Sequence, residues 1–160
     1  MSSAVARTSG AVVSLAGLGL VGAGLWARRE VRAGLARERI VSTPDARPPS
    51  APVTSGTAAR SMSEVIRRRT LDAAGGHTYA ETPAYVGEDG EGTSDAALAL
   101  KDATGQPVEH PDHALWIQST TLQTALMQAY LASRLADLTI GLGAALLAVG
   151  AGLGAAAERR

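Results

Sequence analysis

The chain has 160 residues, equal numbers of basic and acidic side chains, no cysteine, and a mean hydropathy of +0.06. The absence of cysteine excludes a disulfide framework, thiolate metal ligands and cysteine nucleophiles. Zero net charge argues against a nucleic-acid-binding protein, because such a protein needs an excess of basic groups to displace counterions from phosphates. These averages conceal a segregation, since both ends of the chain are apolar and most charged residues lie between them.

Residues 8–27 are the first predicted element, a run of twenty residues without a charge. A helix of this length spans roughly 30 Å, the thickness of the hydrocarbon core of a bilayer. We therefore predict a transmembrane helix. Because the run ends in Trp26 and two arginines rather than in a polar small-residue cleavage site, a retained signal anchor is favoured over a cleaved signal peptide.

Residues 28–56 are predicted to form a juxtamembrane helix and a linker. The helix continues to about residue 40, and its arginines are expected to reach the lipid headgroups. The linker starts at Pro44 and is rich in proline and serine. It cannot continue a helix, and we expect it to run extended.

Residues 57–113 are predicted to form a small, mostly helical loop domain. A helix over about residues 57–74 is expected to end at Gly75 and Gly76, which favour the backbone conformation of a helix C-terminus. The acidic, glycine-rich stretch at 87–95 is interpreted as a solvated loop without a core.

Tyr79 follows these glycines, and a structural role is predicted for it. We expect its ring to dock on the last helix near Leu122 or Leu126, with the hydroxyl at the edge. A ligand-binding role is the alternative.

One long helix is predicted from about residue 112 to residue 157, with Asp112 as its N-cap. Its first part, residues 114–137, is interpreted as an amphipathic extension that lies against the loop domain or the membrane surface. A third span is the alternative for this part, because residues 114–133 carry no charge. The last part, residues 138–157, is the second predicted transmembrane helix and is again twenty residues long.

Both predicted spans carry small residues at helical spacing. Helices associate in lipid where small side chains let their backbones approach closely, so we predict packing against the other span, a second copy or a larger membrane complex. A general abundance of alanine and glycine is the alternative explanation. The predicted packing positions are Gly10, Ser14, Gly17 and Gly24 in the first span, and Ala144, Ala148, Gly150, Gly152 and Gly154 in the second.

The candidates for chemistry are few. His110 and His113 lie in the sequence EHPDH, and His77 is the third histidine. Their spacing is not that of a recognised zinc motif, and the chain has no nucleophile elbow, phosphate loop or calcium loop. We therefore predict no metal, no cofactor and no enzymatic activity.

Four sequence blocks in a fixed order indicate a protein family more specifically than any single motif does. They are residues 36–46, 52–59, 64–81 and 105–132. In this order, between two apolar spans, they resemble a family of small two-span membrane proteins of high-GC Gram-positive bacteria. Members often carry the name of an aromatic-ring-opening dioxygenase. A non-haem iron site would need two histidines and a carboxylate around an open metal position in a dry pocket, so we interpret this name as a misassignment.

The side of the membrane on which the loop lies is given by two conflicting signals. Near the spans, six arginines lie on the loop side and three on the side of the termini, namely Arg7, Arg159 and Arg160. This count favours a cytoplasmic loop, but the rule loses force for a loop of this length. The family resemblance implies the opposite, and we expect an extracytoplasmic loop.

Together these features predict an all-α, multi-pass protein of the cell membrane whose partners are the lipid bilayer and other membrane helices. An accessory or scaffold role is favoured. A homo-oligomeric pore or transport component is the alternative.

Overall fold

The computed structural model describes residues 3–158, and its fold is mostly helical. Three helices, α1 (Ser3–Arg37), α2 (Gly56–Ala73) and α3 (Pro111–Glu158), contain most of the chain. A single 3-10 turn (Tyr79–Glu81) and two short strands, β1 (Tyr85–Val86) and β2 (Gly92–Thr93), lie between α2 and α3. The predicted helical class is therefore confirmed. Arg159 and Arg160, which enter the charge count above, lie outside the described residues.

The two long helices run antiparallel, with Gly10 close to Gly150 at one end and Gly24 close to Ala136 further along. At 35 and 48 residues they are roughly 52 and 72 Å long. Each is long and apolar enough to cross a membrane, and only 17% of the residues in the most apolar window of each helix are buried.

α2 packs against α3 and the end of α1, and the core lies at this junction. The largest buried side chains there are Leu35, Val53 and Leu126. Ser55 caps the start of α2, where its side chain accepts a hydrogen bond from the N–H of Ala58 at 3.2 Å. A serine oxygen at this position replaces an acceptor that the first turn of a helix lacks.

The linker before α2 does not run extended, as the sequence analysis expected, but folds back on itself around Ser42. The backbone N–H of Ser42 donates to Ala51 at 2.9 Å, and its hydroxyl donates to the carbonyl of Pro48. Asp45 then binds Arg68 and Arg69 of α2 at 2.8 and 2.7 Å. The buried serine supplies the hydrogen bonds that the proline-rich backbone cannot form by itself.

The acidic stretch is exposed over most of its length, as expected of a solvated loop, and it also takes part in a small β structure. β1 and β2 pair antiparallel, with Tyr85 opposite Thr93, and further isolated bridges tie in residues 99–109. The N–H of Leu100 donates to the carbonyl of Val86 at 2.8 Å, and the side chain of Ala99 is fully buried. The backbone pairing holds this segment in a region with few large apolar side chains.

α3 begins one residue before the predicted cap, so Asp112 lies inside its first turn. His110 occupies the capping position instead. Its carbonyl accepts from the N–H of Ala114 at 3.0 Å, and its Nδ1 accepts from the N–H of Asp112 at 3.3 Å. Pro111 explains the shift, because proline is favoured at the first helical position.

Candidate helix-packing site

The seam between α1 and α3 is formed by small residues that recur every seven positions in both helices. A repeat of seven keeps one side of each helix in contact with its neighbour when the two wind around each other with a left-handed twist. The facing pairs are Gly10 with Gly150, Gly17 with Gly143, and Gly24 with Ala136.

The backbones at this seam approach too closely for any side chain at the glycine positions. A methyl group built on Gly17 would lie 2.7 Å from the carbonyl oxygen of Gly143 and 2.9 Å from the backbone nitrogen of Leu147. Gly143 is equally constrained, because a methyl group there would lie 2.7 Å from the carbonyl oxygen of Gly17. Close approach of this kind is what makes small residues effective at helix contacts in lipid.

The structure brings together the predicted positions of α1. Gly10, Gly17 and Gly24 are all buried against α3, and Ser14 is half-buried beside Gly150. Each of these four residues therefore packs within the chain itself.

The predicted positions of α3 divide between two faces. Gly150 is buried against α1, and the backbone nitrogen of Gly154 would lie 3.2 Å from a methyl group on Gly10. Ala144, Ala148 and Gly152 are exposed on the other side of the helix, which we call the outward seam. No atom lies within 4 Å of a methyl group built on Gly152, apart from its chain neighbours and its own helical backbone.

Gly143 was missed by the sequence analysis, although it is one of the closest contacts. A signal for it exists in the sequence, because Ala136, Gly143, Gly150 and Ala157 are spaced by seven residues, and all four are buried. The four-residue spacing of Ala144, Ala148 and Gly152 marks the outward seam instead.

Large apolar side chains cover the rest of the two helices. Eight of those within the predicted spans are at least 45% exposed. They are Val12, Leu15, Leu18, Leu25 and Trp26 on α1, and Leu138, Leu142 and Val149 on α3.

The residues assigned structural roles lie around the start of α3 and the end of α2. Tyr79 packs on α3, where its ring stacks on that of His113 with centroids 4.9 Å apart, nearer the start of the helix than the expected neighbours Leu122 and Leu126, and its side chain is half exposed. Gly75 and Gly76 have φ angles of +63° and +87°. The N–H of Gly76 donates to the carbonyl of Leu71 at 2.8 Å, which closes α2 with a Schellman motif.

His77 and His110 line a common cavity, and His113 lies apart from it beside Glu109. Nδ1 of His113 lies 3.2 Å from Glu109, whereas Nδ1 of His110 lies 4.0 Å from Asp112. The backbone carbonyl of His77 accepts a hydrogen bond from the indole of Trp116 at 3.1 Å. Within residues 3–158, no group of three or more metal-binding side chains lies together.

Comparisons with protein-family models, with curated proteins and with solved structures found no match to this chain. Its function is therefore inferred from its own residues.

Proposed function

We propose that this protein is a two-span protein of the cell membrane in which α1 and α3 cross the bilayer as a closed hairpin. Support comes from the exposed leucine, valine and tryptophan side chains on both helices. In water so large an apolar surface would be unfavourable, whereas in lipid it is solvated by the acyl chains. Arg28 and Asp137, at the ends of the two apolar runs, form an ion pair at 3.6 Å and mark one boundary of the hydrocarbon region.

Its role in this proposal is that of an accessory or scaffold subunit that packs against another membrane helix. The observation that carries it is the outward seam of Ala144, Ala148 and Gly152. Gly10, Gly17 and Gly24 of α1 are already packed within the chain, while this second line of small residues is exposed on α3. In lipid such a line favours close helix contacts. The other helix belongs to a second copy or to a different membrane protein.

Membrane insertion is tested by alkaline carbonate extraction of cells that express the full chain. We expect the protein to stay in the membrane pellet. Release into the supernatant would contradict the two-span placement.

The scaffold role is tested by native mass spectrometry after mild detergent extraction. We expect the wild type to appear as an oligomer or with a second membrane protein, and we expect the double variant Ala144→Leu, Ala148→Leu to lose that association. The matched control is Ala16→Leu, Ala23→Leu, which places the same side chains on exposed positions of α1.

A strictly monomeric wild type that copurifies with no other protein would contradict the scaffold role. A stable oligomer that conducts ions in planar bilayers would instead favour the pore. Stoichiometric iron in the purified protein would favour a dioxygenase over both of these roles. Membership of the two-span family stays a prediction.

A further inference from the structure

A cavity of about 380 Å³ lies where α1, α2 and α3 meet, directly beyond the apolar run of α1. One wall is formed by Arg28, Arg29 and Arg32 of α1. Residues 54–57 at the start of α2 form the opposite wall, and Ser133 and Asp137 of α3 contribute a third. The side chain of Leu25 lines the cavity on the side of the predicted span.

The arginines carry more positive charge than the surrounding protein neutralises. Arg28 pairs with Asp137, which also lies 4.0 Å from Arg134. Among residues 3–158, no carboxylate lies within ion-pair distance of Arg29 or Arg32. Three guanidinium groups therefore face one carboxylate.

The spacing of the arginines adds to this imbalance. Arg28 and Arg32 are four residues apart on α1 and therefore neighbours on the helix surface, where like charges repel. An anion held between these arginines would reduce that repulsion.

The opposite wall is held in place by close packing and presents hydrogen-bond donors. A methyl group on Gly56 would lie 2.6 Å from Cβ of Ser133, so the start of α2 is fixed against α3. The hydroxyl of Thr57 lies 3.2 Å from that of Ser55, which already serves as the cap.

We propose that this cavity binds the phosphate group of an anionic lipid headgroup. The inference rests on the membrane placement proposed above, which puts residue 28 at the edge of the hydrocarbon core. Guanidinium groups bind phosphate oxygens in pairs, and basic side chains at this depth attract anionic lipids. Leu25 on the bilayer side suits the apolar part of a lipid that enters from the membrane. A free phosphate anion has the same binding chemistry, so the test separates the two sources.

The test uses the full chain in detergent micelles, with lipid binding measured by native mass spectrometry. Phosphatidylglycerol is titrated against phosphatidylcholine, which carries no net charge. We expect the wild type to retain phosphatidylglycerol preferentially. The double variant Arg29→Gln, Arg32→Gln should bind it about thirty-fold less tightly, since each basic group near the headgroups contributes about five-fold.

The matched control is the double variant Arg39→Gln, Arg67→Gln, which removes the same charge from exposed arginines outside the cavity. It should bind phosphatidylglycerol like the wild type. An equal loss in the control would overturn the proposal, because it would show a general charge effect. Equal binding of the two lipids by the wild type would overturn it as well.

Inorganic phosphate, added as a competitor, identifies the source of the anion. If it displaces the lipid only at a large excess, the site takes a lipid headgroup. If it binds the wild type as tightly as the lipid does, and not the Arg29/Arg32 variant, the phosphate chemistry holds but the lipid assignment is overturned. Carbonate extraction of membranes from the same cells, before detergent is added, distinguishes failure of the site from failure of the membrane placement.

Discussion

Tyr130 joins α2 to α3 through two arginines. The guanidinium carbons of Arg60 and Arg134 each lie 5.3 Å from the centre of its ring. Its hydroxyl accepts hydrogen bonds from Arg60 at 3.2 Å and from Arg134 at 3.3 Å. The pKa of the Tyr130 phenol is lowered because two cations favour the phenolate. The hydrogen bond from Arg134 has the largest effect and that from Arg60 the second largest.

We predict that this tyrosine ionises early in an alkaline titration followed by phenolate absorbance. Tyr130→Phe should abolish the early phase, whereas Tyr79→Phe should keep it. Because the pKa is lower in the folded state, the phenolate adds stability that is fully present above the unfolded pKa of about 10 and is lost as the pH falls through the folded pKa. An early phase that survives in Tyr130→Phe would show that another group produces it.

At the scale of the helices, the seven-residue repeat of glycines decides how closely α1 and α3 pack. Two glycines of α1 provide a direct comparison, because Gly17 lies in the seam, while a methyl group on Gly19 would have open space within 4 Å. The two positions are two apart in the same helix, with one residue between them, so a difference between the variants reflects packing rather than position along the helix.

We predict that Gly17→Ala destabilises the pairing of α1 and α3 by about 1–3 kcal/mol, since the added methyl group must push two backbones apart. Gly19→Ala should leave the stability unchanged or raise it by up to about 1 kcal/mol through its higher helix propensity. Unfolding in detergent by sodium dodecyl sulfate, followed by circular dichroism, measures both variants. Equal effects of the two substitutions would contradict the close packing at Gly17.

At the scale of the whole molecule, the two oppositely charged parts of the sequence form few ion pairs with each other. Residues 1–69 have a net charge of +7 and residues 70–137 one of −8. Among the ion pairs of arginine with carboxylates in residues 3–158, Arg28 with Asp137 is the one that connects the two parts. Apolar contacts of Leu35, Val53 and Leu126 hold the junction instead.

We predict that the loop domain lies outside the cytoplasm. In Ser94→Cys, an impermeant thiol reagent should label the exposed loop in intact cells, and the native chain has no cysteine to interfere. Val5→Cys, on the side of the termini, is the matched control and should react only after lysis. The reverse pattern would place the loop in the cytoplasm, as the arginine count suggests.

The sequence by itself determined the helical class, the long apolar helices and the end of α2 at Gly75 and Gly76. These features depend on periodicity, run length and local backbone preference, all of which are contained in short segments. The predicted start of α3 differs from the observed one by one residue. The preference of proline for the first helical position competes there with the preference of Asp112 for the capping position.

Only the tertiary structure decided which small residues face one another and which groups surround the cavity. Gly17 packs against Gly143, and the arginines of α1 line one cavity with Ser133, although these segments are more than a hundred residues apart in the chain. Both the four-residue and the seven-residue pattern of α3 are present in the sequence, and either face could pack. The choice between them follows from the relative rotation of two helices, which no short segment of the chain determines.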